Sequence, residues 1–475
     1  MSNDSHCYDV AIIGAGVVGA AIAREMARYD LSSVLVEATS DVGAGTSKAN
    51  TAIWHTGFDA KPGTLEARLL RRGYSLLEQY IPEAGVPAER LGGLLVAWTP
   101  EQHKALPDLF ARARQNGVSD VRLVSAAEVY QLEPQLNPGA LAALLVPGES
   151  ILCTFTLPLA LATQAVINGA ALKLDHQVRE ITLDGRGIFT LHTTGGEVRC
   201  RYLVNAAGLY YDEIDRMLGH ADFTVTPRRG ELIVFDKFAR GLVRHVLLPV
   251  PTATTKGVLI SHTVYGNVML GPTAEDLADK RETGTSEAGQ QMLLAKGQAI
   301  LSPLLEEEVV GLYAGLRAAT EHSDYQIRLH ADQHYVCVGG IRSTGVSYCL
   351  GIAEYVADLL RSAGLALPPK AGFRSVHMPN IGEAGLRPYQ SAEMIAARPD
   401  YGHPVCYCER VSRGEIVDAA HSVIPAATLD GVRRRTRAMQ GRCQGANCHA
   451  AITAILARET GQSMSRLLEM EAPHA

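Results

Sequence analysis

Apolar and polar positions alternate legibly from the start of the chain. Residues 8–13 form a short apolar run, 14–19 is glycine-rich, 20–29 has helical composition, and Ser33–Val36 is a second apolar run that ends at Glu37. A strand–helix–strand unit of this kind predicts a parallel sheet. Residues 40–65, rich in Gly, Ser, Thr and Asn, read as a ligand-facing loop. Leu69, Leu70, Leu76, Leu77 and Tyr80 fall at helical spacing and predict a long amphipathic helix over 66–82. Short strands and helices with Pro punctuation follow over 90–150, then a buried strand over 203–208 that ends in Gly. Residues 223–272 are strand-rich, with period-two patches at 231–235 and 258–261. A helix is expected over 286–305, a strand over 335–340 and a helix over 345–360. The stretch 364–405 carries six Pro and little periodicity, so it reads as a linker. The last 70 residues make a small, Cys-bearing, Arg-rich unit with no Lys.

Composition narrows the class. A chain of 475 residues, 47% apolar and 20% charged, has the material for several cores and little tendency to disorder. Its net charge of -6 argues against a protein that coats nucleic acid or an anionic membrane. Nine Cys, an odd number at low density, point to reduced thiols in a cytosolic setting, some of them metal-bound. No apolar run reaches the length of a spanning helix, and the start lacks the basic flank of a secretory signal. A cytoplasmic protein is therefore expected, able to sit at a membrane through a partner and to form an oligomer.

Gly14-x-Gly16-x-x-Gly19 lies between a strand and a helix, with Glu37 about twenty residues on. Gly14 permits the tight turn, Gly16 lets backbone N–H groups approach a pyrophosphate, and Gly19 lets helix and sheet pack closely. Glu37, at the end of the second strand, can accept from ribose hydroxyls and repels a 2′-phosphate. This predicts a dinucleotide site.

Glu37-Ala38 and the run Gly45-Thr46-Ser47-Lys48-Ala49-Asn50 resemble the D-amino-acid-oxidase-like flavoprotein superfamily, in which a Gly/Ser/Thr loop lies along the FAD pyrophosphate and flavin. Asn205-Ala206-Ala207-Gly208 resembles that group's second FAD-contacting strand, and Gly339-Gly340-Ile341-Arg342-Ser343-Thr344-Gly345-Val346 its C-terminal FAD segment. There the following helix points its N-terminus at the flavin pyrimidine ring, which stabilises an anionic reduced flavin. The resemblance implies FAD contacts at Gly14, Gly16, Val17, Val18, Gly19, Glu37, Ala38, Thr46, Ser47, Asn50, Val178, Ala207, Gly208, Gly340, Ile341, Gly345, Val346 and Ser347.

Thr46 to Asn50, His55 and the run 57–65 look like the FAD-dependent glycerol-3-phosphate dehydrogenase/oxidase branch, with L-2-hydroxyglutarate oxidases as near relatives. The similarity continues through 227–231, 249–252, Lys256-Gly257, 266–273 and Ala314-Gly315-Leu316-Arg317. In that branch a secondary alcohol gives hydride to flavin N5. His55 is the implied base, since imidazole titrates near neutrality. Arg317 and Lys256 are the implied cations for an anionic substrate, and Ser343 and Thr344 the implied hydrogen-bonding groups. Taken alone, each of these residues reads as an ordinary surface or core side chain. Trp54 and Thr51 depart from the branch's pattern, and Trp54 is expected to reshape the pocket. Arg342 is expected to add a cation beside the flavin segment.

Cys406-x-Cys408 and Cys443-x4-Cys448, separated by 34 residues, present four thiols in two close pairs. Four thiolates suit [2Fe–2S] or Zn. The spacing resembles the bacterioferritin-associated-ferredoxin-like [2Fe–2S] domain, which implies that these four Cys ligate the cluster. The four-residue gap before Cys448-His449 excludes a c-type haem. Arg433-Arg434-Arg435-Thr436-Arg437 is read as a solvated helix face that offsets cluster charge and docks an acidic acceptor.

The expected fold is α/β, α+β overall. A Rossmann-like FAD-binding domain carries an inserted, mostly antiparallel substrate domain, and a small helical four-cysteine domain follows. Residues 1–363 form the oxidoreductase, with FAD parts near 1–85, 150–215 and 310–363 and substrate parts near 86–149 and 216–309. Residues 364–400 are the linker and 401–475 the cluster domain. The implied activity is oxidation of glycerol 3-phosphate or a related polyol phosphate, with electrons passed through [2Fe–2S] to a partner protein or a quinone-linked subunit. A 2-hydroxy acid is the second substrate and an amine or imino acid the third. A flavin-binding regulator with a structural Zn unit is the reading from another class.

Overall fold

Strand β1 (Cys7–Ile13) runs through the middle of the first sheet of a computed structural model that describes residues 6–251 and 257–470. Val10 and Ile12 enter one core and Ala11 and Ile13 another, which is why the run is apolar at every position. Helix α1 (Val17–Met26), with Gly16 as its N-cap, starts three residues before the helical composition begins. The β-branched Val17 and Val18 mask the start in sequence, but the Val17 N–H already donates to Ser47 Oγ at 2.9 Å and the first turn forms over it. Strand β2 (Ser33–Val36) pairs in parallel with β1, Ile12 opposite Leu35.

Strand β3 (Ile53–Trp54) leads to helix α2 (Leu65–Ala84). Thr64 caps α2 by accepting from the Ala67 N–H, and Gly85 ends it in the left-handed conformation. Strand β4 (Ser150–Leu152) pairs with β3, and helix α3 (Thr156–Ile167), buried on most sides, packs on α1. Strand β5 (Gly196–Asn205) pairs in parallel with β1. It is longer than expected and stops before Ala206, because the Asn205 side chain accepts from the Ala207 N–H and donates to the Tyr211 carbonyl. Among the described residues the first sheet has the order Val178–Leu183, Phe189–Thr193, β5, β1, β2, Ala171–Lys173.

The second sheet is built round the long antiparallel pair of β6 (Thr226–Phe235) and β7 (Val309–Ala319), with Arg228 opposite Arg317. Val268–Gly271, Leu259–His262, Val246–Pro249, Gly93–Ala97, Ala142–Val146 and Arg122–Ser125 extend it. It is antiparallel apart from the Val246–Pro249 and Gly93–Ala97 pairing. Strand β8 (Tyr335–Gly339) returns the chain to the first sheet beside β5, and helix α4 (Gly345–Ser362) lies across α1 and α2. α2 and α4 approach closely because Gly73 faces the Tyr348 backbone and Gly351 faces the Leu69 carbonyl. No helix among the described residues is long and apolar enough to cross a membrane.

One packing contact gives a direct prediction. A Cβ at Gly19 would lie 1.8 Å from the Gly14 carbonyl oxygen, inside the glycine turn itself. Gly19→Ala is expected to destabilise the chain by at least the ~1–3 kcal/mol typical of overpacking. Calorimetry reads this, and an unchanged midpoint would contradict the contact.

The proline-rich stretch is laid over the body rather than free of it. Pro368 accepts from the Asp30 N–H, the Lys370 N–H donates to Arg28, the Met378 N–H to Ala84 and the Glu383 N–H to Val264. Beyond it, among the described residues, lie a short hairpin (Pro404–Cys406 and Val411–Ser412) and four helices: Arg413–His421, α5 (Leu429–Thr436), α6 (His449–Thr460) and Met464–Glu469. Val411, Ile416, Val432, Ile452, Leu456 and Leu467 give this unit its own fully buried core.

The arginine run corrects an expectation. Arg434, Arg435 and Arg437 are buried, not solvated. Arg434 and Arg435 both bind the buried carboxylate of Asp41, and Arg437 lies 3.9 Å above the Tyr265 ring. Their partners, Asp41 and Tyr265, lie far away in the chain, which the local composition of the run does not reveal.

Candidate flavin and four-cysteine sites

The glycine turn is fixed from both sides. Gly14 has a φ of +98° and donates to the Val36 carbonyl at 2.7 Å; a Cβ there would lie 2.5 Å from the Ala206 carbonyl oxygen. Only glycine fits. Glu37 Oε2 accepts from the Ala15 N–H at 2.7 Å, and Oε1 accepts from the Thr39 N–H and hydroxyl. The carboxylate thus braces the turn and the loop after Ala38, and its remaining lone pairs suit ribose hydroxyls.

The loop over α1 is tied at each expected position. Ser47 Oγ accepts from Val17, Thr46 Oγ1 donates to the Leu316 carbonyl at 2.8 Å, and Asn50 Nδ2 donates to the Ser47 carbonyl. Tyr313 of β7 donates to the Asn50 carbonyl at 2.7 Å. Gly208 is left-handed just beyond Ala207. Gly340, also left-handed, donates its N–H to the Tyr211 hydroxyl. At the start of α4, a Cβ on Gly345 would touch Ile341 and Val18, so the N-termini of α1 and α4 meet ahead of Val346 and Ser347. Val178 begins a strand two residues after His176, whose N–H donates to the Glu37 carbonyl. The three flavin segments therefore converge, and the glycine cradle with Glu37 fits FAD.

His55 lies beside this site. Its N–H donates to Ser347 Oγ at 2.9 Å, and its Nδ1 is 2.8 Å from Oε2 of Glu149. Glu149 is fully buried, and its other oxygen accepts from the N–H and hydroxyl of Thr56, both at 2.7 Å. A carboxylate only accepts, so Nδ1 carries the proton and Nε2 is the basic nitrogen. Sequence reasoning missed Glu149. Its one signal is that it is the single charged residue in the apolar run 141–153. Glu149→Gln is expected to slow substrate-driven flavin reduction by about 10- to 100-fold, the scale on which an imidazole's orienting partner matters. Stopped-flow absorbance checks this.

Arg317, next after Leu316, is half-buried. Its two terminal nitrogens reach only the Thr273 carbonyl, at 3.3 and 3.4 Å, and among the described residues no carboxylate pairs with it. Burial first, and Arg228 across the strand pair second, push its pKa below the usual guanidinium range. Gly230 gives it room, since a Cβ there would lie 2.7 Å from Nη2. Lys256 lies outside the described residues. Ser343 is exposed. Thr344 donates to Glu66 at 3.0 Å and meets the Tyr325 hydroxyl at 2.6 Å, so its hydroxyl is committed within the fold. Arg342 pairs with Glu66 through one guanidinium nitrogen. Trp54 is buried in the core, stacked on Tyr74 at 4.7 Å between ring centres.

The four C-terminal thiols are reduced and fall into two kinds. Cys406 and Cys448 are buried and adjoin each other; Cys408 and Cys443 are half-buried and adjoin each other. The Asn447 N–H is the leading cause that holds the Cys443 thiol below its ordinary pKa, while burial pushes Cys448 up to about 12. Gly441 packs on Cys408, where a Cβ would lie 2.5 Å from the cysteine's own. Two adjoining thiol pairs are the donor set of a two-iron cluster, and the residues fit [2Fe–2S].

Fold and site together define a FAD-binding oxidoreductase with a fused iron–sulfur unit. The chain belongs to the FAD dependent oxidoreductase family, whose model matches residues 9–359, and the BFD-like [2Fe-2S] binding domain matches 404–458. It is 36% identical over 468 residues to a glycerol 3-phosphate dehydrogenase of Caloramator mitchellensis, covering 98% of this chain and 97% of that one. A structure of L-alpha-glycerophosphate oxidase from Mycoplasma pneumoniae with FAD bound superposes with a TM-score of 0.75 at 29% identity, covering 79% of this chain and all of that one. Bovine mitochondrial L-2-hydroxyglutarate dehydrogenase is 31% identical over 291 residues, 58% of this chain and 62% of that one.

Proposed function

We propose that the chain oxidises the secondary alcohol of glycerol 3-phosphate or a closely related polyol phosphate. The observation that carries this is Arg317, a half-buried guanidinium whose only partner among the described residues is a carbonyl. A cation in that state is preorganised for an anion, and its planar fork matches two phosphate oxygens. The full-length similarity to a glycerol 3-phosphate dehydrogenase supports the same substrate.

FAD, when bound, supplies the hydride acceptor, and [2Fe–2S] supplies a carrier for single electrons. The chain's own residues do the rest. His55 takes the hydroxyl proton at Nε2, and the buried Glu149 holds the ring through Nδ1 and stabilises the imidazolium that results. The Ser347 hydroxyl fixes the His55 backbone at the start of α4. Arg317, with Lys256, holds the phosphate, and Ser343, exposed just ahead of α4, hydrogen-bonds the substrate. Residues 1–363 act as the oxidoreductase, 364–400 as the strap and 401–475 as the electron-transfer unit. The electrons leave to a partner protein or a quinone-linked subunit from a cytoplasmic enzyme. The test is anaerobic bleaching of the flavin by a panel of polyol phosphates, 2-hydroxy acids and imino acids. Fastest bleaching by glycerol 3-phosphate is expected; fastest bleaching by 2-hydroxyglutarate or an imino acid would overturn the substrate reading.

A further inference from the structure

Asp41 sits in the loop that follows Glu37, and its carboxylate is 3% exposed. Such a group is costly to bury unless it is paired and hydrogen-bonded. The Val42 N–H donates to Oδ1 at 2.8 Å, and both of the cations that pair with the carboxylate come from helix α5 of the four-cysteine unit. Arg434 Nη2 donates to Oδ2 at 2.6 Å, while Arg435 donates Nη1 to Oδ2 at 2.7 Å and Nη2 to Oδ1 at 2.8 Å. Arg434 Nη1 also donates to the Val42 carbonyl. The next residue, Gly43, donates its N–H to the Ala15 carbonyl in the glycine turn at 2.9 Å. Further along the loop Lys48 pairs with Asp430 at 3.1 Å. Hydrogen bonds thus tie α5 to the backbone segment Asp41-Val42-Gly43, and Gly43 to the glycine turn.

We propose that Arg434 and Arg435 are positioning residues of the flavin site, so that the four-cysteine unit is needed for this chain to hold FAD. The inference rests on FAD lying along the glycine turn and the loop over 39–50. Without the two guanidinium groups the loop must either keep an uncompensated buried carboxylate or turn Asp41 out to water. Both move the segment between Glu37 and Ser47 that FAD contacts. By linkage the dependence is reciprocal, and bound FAD holds α5 in place.

The test is the FAD dissociation constant of the full chain, read by quenching of flavin fluorescence on titration of the apoprotein. For Arg434→Met/Arg435→Met it is expected to rise at least tenfold, with iron content and circular dichroism unchanged. A value within twofold of the parent in the folded variant would overturn the proposal. Asp41→Asn gives the same reading from the other side of the contact, should the double variant fail to fold. Combining Asp41→Asn with the arginine changes is expected to cost little more than either alone, and additive losses would also overturn the proposal. Gly16→Asp, which places a carboxylate in the turn, separates this from the siting of FAD. A Gly16→Asp chain that binds FAD normally would remove the siting itself, whereas loss there with retention in the arginine variants removes only the clamp.

Discussion

His55→Ala is expected to hold FAD and yet be reduced by glycerol 3-phosphate about 10²–10⁴-fold more slowly than the parent, the range in which a positioned general base contributes. The expectation follows from the fixed tautomer. Glu149 is fully buried, two of its contacts are donated by Thr56, and its remaining acceptor oxygen faces His55 Nδ1. That leaves Nε2 to take the alcohol proton, and no water-borne base replaces it without losing its orientation. Reduction by dithionite needs no base, so it should proceed equally in both proteins and serves as the control. Equal rates with glycerol 3-phosphate at neutral pH would remove His55 from the chemistry.

Arg317→Met is the second large expected effect. The change keeps most of the side-chain volume and removes the charge. Truncating one partner of a buried charge pair costs ~2–5 kcal/mol, which is about 30- to 4,000-fold in KM for the phosphate substrate. If Arg317 holds the phosphate equally before and during hydride transfer, kcat changes far less than KM. Glycerol, which lacks the phosphate, should lose little. Steady-state kinetics with both substrates reads this directly. An equal loss for glycerol and glycerol 3-phosphate would mean that the guanidinium supports the fold rather than the anion.

What the sequence revealed was local. The glycine turn over 14–19, the Ser33–Val36 strand ending at Glu37 and the two cysteine pairs each carry their chemistry within a few positions. Contacts across the chain were not legible. Glu149 acts on His55 from 94 residues away, and Asp41 meets Arg435 at a separation of 394. Neither pairing leaves a periodicity or a motif. The same blindness misread the arginine run, since a cluster of charges looks solvated until its buried counter-ion is placed. Trp54 stacks on Tyr74 and Arg342 pairs with Glu66, and neither partner was legible from proximity in sequence. The amphipathic helix over 66–82 was recovered with two or fewer residues missing at either end, because its stripe of Leu69, Leu70, Leu77 and Tyr80 is buried as its spacing requires.

One substrate is expected to reduce two centres in this chain. The most direct measurement is an anaerobic titration of the holoenzyme with glycerol 3-phosphate, followed by visible absorption and by low-temperature electron paramagnetic resonance. Loss of the flavin bands together with a signal from a reduced two-iron cluster, absent when Cys443 and Cys448 are replaced by serine, is the expected result. Flavin bands that stay unbleached by glycerol 3-phosphate, or that bleach while the iron centre never takes up an electron, would contradict it.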